Sequence, residues 1–210
     1  RLLTVLVRRR IGELDLGLDA AVLNALAERL IQEAAAISGA IILRAAKQGV
    51  SAGELIGVVL SLALVREELG GAEAPVACFF LDDYATWLGQ KEQRIADLLL
   101  LSVTERNGKP ALRIVATEAK YVAAEAVAEA KRSSRAQLVQ TVARLADAIF
   151  GNPGRLDRNL WLGRLADLLL DSTGSVAAHV ALFESIRPDL RNGSVEIELR
   201  GYSHIFASTA

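Results

Sequence analysis

The chain has 210 residues, a formal net charge of −1 and a hydrophobic fraction of 52%. That length holds one large domain or two small ones, and that composition excludes a disordered chain. The near-zero charge carries no global signature of a nucleic-acid binder, and the single cysteine, Cys78, excludes an internal disulfide or a cysteine-rich zinc site.

The chain opens on Arg1-Leu2-Leu3 and has no Met, which reads as a piece of a longer or processed protein. Arg8-Arg9-Arg10 is followed by acidic sequence rather than an apolar core, so there is no secretory signal and a cytoplasmic setting is expected. Leu2 to Val7 is a short apolar run that reads as a strand. Asp19 is placed as the N-cap of a helix to about Ala36, with Val22, Leu23, Leu26, Leu30 and Ile31 on one stripe. Gly39 to Ala46 fits helix or strand equally. Ser51 and Glu54 form a capping box that opens a helix to about Glu68, stopped by Gly70-Gly71. The apolar run inside it, Leu55 to Val65, is about half of what a membrane span needs, so it reads as a buried helix.

Pro75 to Leu81 reads as a buried strand ending at Asp82-Asp83-Tyr84, where the aspartates suit a turn. Ala85 to Gln93 is ambiguous. From Ile95 to Tyr121 two apolar strands flank Asn107-Gly108, the strongest short hairpin signal, because a type I′ turn needs positive φ at both central residues. With that turn Arg106 pairs with Lys109, and the register brings Asp97 opposite Glu118 and Ile95 opposite Lys120. Opposed Cβ atoms lie about 5 Å apart, so two carboxylates there repel unless a proton or a cation joins them.

A long helix is expected from Val122 to Phe150, stopped by Gly151-Asn152-Pro153-Gly154. Leu138, Val142, Leu145 and Ile149 share its apolar face, and Gln137, Gln140, Thr141 and Arg144 lie on others. Lys131, Arg132 and Arg135 add positive charge to it; such a run is either a phosphate-contacting face or a solvated one. Leu156 to Asp171 reads as a helix with Trp161, Leu165 and Leu168 inward, and Val176 to Ser185 as another, broken at Arg187-Pro188. Asn192-Gly193 turns into a strand over Ser194 to Leu199, with a further strand over Ile205 to Ala207. His204 is a lone histidine at a strand end. No G-x-x-x-x-G-K-[ST] phosphate loop occurs, which excludes ATP binding of the P-loop kind.

Asp97 followed, across a strand–turn–strand, by Glu118-Ala119-Lys120 resembles the PD-(D/E)xK nuclease motif, and the order αβββαβ from residue 51 onward resembles that superfamily's core. The residue before Asp97 is Ala96 rather than proline. The resemblance implies an α/β fold with a mixed sheet flanked by helices, preceded by a helical segment over residues 1–50 that belongs with a neighbouring domain. The nuclease-like domain would span 51–210, with a helical insertion at about 155–187. It also implies Mg²⁺ or Mn²⁺ held by Asp97, Glu118 and the Ala119 carbonyl, with Lys120 assisting the attacking water and Gln137 and Arg144 touching DNA.

More narrowly, Phe80-Leu81-Asp82-Asp83-Tyr84, Glu118-Ala119-Lys120-Tyr121 and Leu199-Arg200-Gly201-Tyr202-Ser203-His204 resemble the nuclease-like region of large bacterial phosphorothioation-dependent restriction proteins. That resemblance implies a defence role, with an ATPase or translocase domain outside this chain as partner and a homo-oligomer as one arrangement. The expected function is metal-dependent cleavage of DNA phosphodiester bonds. The alternative is an inactive nuclease-fold module that binds DNA or protein as a scaffold.

Overall fold

A computed structural model describes residues 2–39, 41–43, 51–71, 74–84, 86, 95–152, 157–171 and 177–208. Among them lie helices α1 (Leu2–Gly12), α2 (Ala20–Ile37) and α3 (Ser51–Glu68), then strands β1 (Val76–Phe80), β2 (Leu98–Arg106) and β3 (Lys109–Ala123). Helices α4 (Val127–Phe150), α5 (Arg158–Asp171) and α6 (Ala177–Arg191) follow, and strand β4 (Glu196–Ser208) closes the series. The strands form one mixed sheet in the order β1-β2-β3-β4; β1, β2 and β3 run antiparallel in turn, and β4 lies parallel to β3. The fold is therefore α/β with helices on both faces, as expected.

The hairpin register is the one read from Asn107-Gly108. Both residues have positive φ, 53° and 73°, and Arg106 pairs with Lys109 and Leu98 with Thr117. Alternation along the strands divides the core in two. Leu99, Leu101, Val103, Leu112, Ile114 and Ala116 face α4, α5 and α6. Leu98, Leu100 and Val115 face α3, which also packs on α1 and α2 through Val7, Ile11, Ala27, Leu30 and Ala34. Asp19 caps α2 as expected, its carboxylate accepting the Val22 N–H at 2.8 Å, and α3 ends at Gly70-Gly71, both at positive φ.

Four expected boundaries are corrected. Leu2 to Val7 is helical, because Leu3, Leu6, Val7 and Ile11 recur at the spacing of one helix face and pack inward together. The long helix starts at Val127 rather than Val122. Residues to Ala123 stay in β3, where β4 pairs with them as far as Ala123 with Ser208, a long-range pairing that overrides alanine's helix preference. Pro188 does not end α6, which runs through it to Arg191. Burial of Phe183, Ile186 and Leu190 outweighs the one missing N–H bond, and Arg187 and Arg191 both reach Asp167 on α5. The two short C-terminal strands are one strand of 13 residues. The Ser51 cap, most of Ala85 to Gln93 and part of Gly39 to Ala46 lie outside the described residues or side chains.

Candidate functional site

At one end of the sheet four elements converge: the end of β1, the approach to β2, the last third of β3 and the first turn of α3. Gly53 in that turn lies against Tyr121, where an added Cβ would sit 3.2 Å from the ring. The absence of a side chain thus lets Glu54 come down beside the strand end.

Glu118 is wholly buried on the α4 face of β3. The ladder between β2 and β3 stops at Leu98–Thr117, so Asp97 is not Glu118's ladder partner but sits one residue beyond. Its side chain continues the ladder instead: Asp97 Oδ2 accepts the Ala119 N–H at 2.7 Å, where the carbonyl of a longer β2 would be. The backbone is tied down on the other side, the Leu81 N–H donating to the Asp97 carbonyl at 2.8 Å.

Lys120 lies two residues from Glu118 on the same face and brings Nζ to 2.6 Å from Oε1. That contact is an ion pair between a buried carboxylate and a partly exposed ammonium. Neither Glu118 oxygen has a hydrogen-bond partner among the described residues. A buried polar atom left this way is costly and calls for an explanation.

Electrostatics follow from the count of charges. Burial pushes the Asp97 carboxyl up from its ordinary range; the Ala119 N–H and the Lys120 ammonium pull it down, and Glu54 and Asp82 push it up again. Burial likewise raises Glu118, with the Asp97 charge next and Lys120 opposing. Burial would lower Lys120, but the Glu118 carboxylate overrides it and holds the lysine protonated. Two carboxyls share one ammonium, and two further acids stand within electrostatic reach.

The structure therefore brings Asp97, Glu118, Ala119 and Lys120 together. Gln137 lies on α4 between Ser134 and Thr141, both of which touch this end of the sheet. Ser134 Oγ is 2.6 Å from Ser203 Oγ, beside Glu118 on β4, and Thr141 Oγ1 accepts the Ala96 N–H at 2.9 Å. Arg144, Lys131, Arg132 and Arg135 are exposed on α4, and Arg132 pairs with Glu129. Trp161 is core, as are its neighbours Leu162 and Leu165. His204 is structural: its Nδ1 lies 2.7 Å from the buried Ser61 hydroxyl, which also donates to Thr117, and burial keeps the imidazole pKa low. Asp83 accepts from Ser38 at 2.7 Å as part of the turn.

Three residues at this end escape a reading of the sequence. Glu54 serves equally well as the acid of a capping box. Ser134 and Thr141 look like surface residues, although their spacing to Leu138 and Leu145 places all four on one stripe, and both hydroxyl residues are fully buried. That stripe was the available signal.

Asp97 and Glu118 present the hard oxygen ligands that suit magnesium or manganese, and two buried carboxyls facing one ammonium fit such an ion. No group of three or more His, Cys, Asp and Glu side chains among the described residues is arranged to hold a metal. Scanned against protein-family models, curated proteins and solved structures, the chain matches none of them. No helix among the described residues is long and apolar enough to cross a membrane.

Proposed function

We propose that this chain is a metal-dependent DNA endonuclease domain with a restriction-endonuclease-like core, working beside an ATPase or translocase in a bacterial defence protein. The observation that carries the reading is the buried Glu118 carboxylate, which has Lys120 as its ion-pair partner and lies beside Asp97 at the end of a mixed sheet. The order of helix α3, three antiparallel strands, helix α4 and, after α5 and α6, a parallel fourth strand supports the same core.

In this reading Asp97, Glu118 and the Ala119 carbonyl hold Mg²⁺ or Mn²⁺. When bound, the ion supplies Lewis-acid neutralisation of the scissile phosphate. Lys120, which the Glu118 carboxylate holds protonated in the metal-free protein, orients the attacking water and stabilises developing charge. The water oxygen bonds to phosphorus as the P–O3′ bond breaks, leaving a 5′-phosphate and a 3′-hydroxyl. Gln137 reaches the phosphate from α4, and Arg144 and its basic neighbours contact the DNA backbone without reading bases.

The test is incubation of the protein with plasmid and linear DNA in manganese or in chelator, alongside Glu118→Ala. Cleavage that requires manganese and falls by more than about 100-fold in the variant is expected, since even outer-shell residues of metal sites cost 10–100-fold. Normal cleavage by Glu118→Ala would overturn the site. A scaffold without catalysis is the second reading, and the Lys120 ion pair favours it because it already neutralises Glu118. That reading expects no manganese-dependent heat in calorimetry with either protein.

A further inference from the structure

We propose that Thr141 is a positioning residue for the site: by holding the Ala96 N–H, its hydroxyl sets the Asp97 carboxylate against the Ala119 N–H. The inference rests on the proposed function only in making Asp97 a metal ligand; the positioning itself is independent of metal.

Asp97 lies beyond the last rung of the β2–β3 ladder, so no strand pairing fixes it. Three hydrogen bonds from three elements do so instead. Leu81 N–H holds the Asp97 carbonyl at 2.8 Å, Thr141 Oγ1 holds the preceding N–H at 2.9 Å, and Ala119 N–H holds the side chain at 2.7 Å. The first anchors the peptide unit that follows the Asp97 Cα, the second anchors the Ile95–Ala96 peptide unit one residue upstream, and the third is the result. Thr141 is fully buried on the stripe it shares with Ser134, Leu138 and Leu145, and Ala96 is fully buried as well. A buried N–H that loses its acceptor costs free energy unless the backbone moves to find another, so removing the Thr141 hydroxyl loosens this segment. A valine at 141 keeps the shape and removes only the acceptor; a serine keeps the acceptor and removes only a methyl group.

The experiment compares wild type, Thr141→Val and Thr141→Ser by amide hydrogen exchange and by Mn²⁺ calorimetry. Thr141→Val is expected to speed exchange at the Ala119 N–H by about 10-fold or more relative to the Leu100 N–H in mid-sheet, and to weaken Mn²⁺ binding by about 10–100-fold. Thr141→Ser should keep both close to wild type. Unchanged protection of Ala119 in Thr141→Val would overturn the proposal. So would equal loss at Ala119 and Leu100, which marks a residue that merely supports the core. If exchange follows the expected pattern while wild-type protein and Asp97→Ala both fail to bind Mn²⁺, the positioning stands and the metal-dependent function falls.

Discussion

The two ends of the sheet use the same kinds of side chain to opposite effect. At the hairpin end, Arg106 pairs with Glu196 at 2.5 Å, and Glu198 lies between Arg113 at 3.0 Å and Arg200 at 2.5 Å. Arg200 also reaches Glu68 at 2.7 Å. These pairs are solvated, and although the little burial Glu198 has works upward, hydrogen bonds from Arg200 and Arg113 hold it below the ordinary carboxylate range. At the other end Asp97 and Glu118 share one lysine in a buried setting, with Glu54 and Asp82 adding repulsion, and both carboxyls are raised. Among the described residues, cations match acids at the first end, whereas at the second Lys120 alone faces both Asp97 and Glu118. A charge deficit that folding leaves buried is where an external cation gains most, whereas a balanced exposed network gains little from one.

That contrast can be broken most directly by pH. Asp97 is pushed up to about 7 and Glu118 to about 8, against about 4 in an unfolded chain. Over that window the native state keeps protons that the unfolded state has lost, so without metal the stability must fall as pH rises. As far as these two groups are concerned it should be greatest at and below about pH 4 and decline up to about pH 8. Excess Mn²⁺ should flatten or reverse the slope. Denaturant melts at several pH values, with metal and with chelator, would show it; a metal-free stability that rises between pH 5 and 8 would contradict the assignment.

A smaller effect sharpens the same comparison. Glu118→Gln removes the buried charge and is expected to stabilise the metal-free protein at pH 8 by about 1–3 kcal/mol, or a few degrees in Tm for a chain of this length. Loss of stability in the variant would mean that Lys120 fully compensates Glu118. The smallest effect belongs to the hairpin end. Arg106→Ala should cost less than about 1 kcal/mol, less still in high salt, and leave Mn²⁺ affinity unchanged. A change in metal affinity from that distance would couple two ends that the charge pattern keeps separate.

Much of the fold was legible in the residues themselves. Asn107-Gly108 admits one turn type, and that turn sets the register of two long apolar strands whose alternation sorts the core onto two faces. Asp19 offers a side-chain acceptor to the first turn of α2, and Gly70-Gly71 supplies the positive φ that stops α3. Such signals lie within a few residues of what they specify. The juxtaposition of Asp97 with Glu118-Ala119-Lys120 followed from the turn, which is local, although the ladder stops one rung short of Asp97.

What the tertiary structure decided was long-range. Parallel pairing with β4 keeps residues 122 and 123 in the sheet, and no local signal announces a partner so far along the chain. Packing against α5 carries α6 through Pro188. Glu54 comes within electrostatic reach of Asp97 through the packing of α3, whose Gly53 lies close against Tyr121. Thr141 and Ser134 acquire roles only when α4 lies across the strand ends, because a hydroxyl on a helix face is neutral until the fold supplies an N–H or another hydroxyl opposite it. Local chemistry sets turns, caps and alternation through neighbouring atoms; buried charge and its partners depend on which distant segments the core brings together.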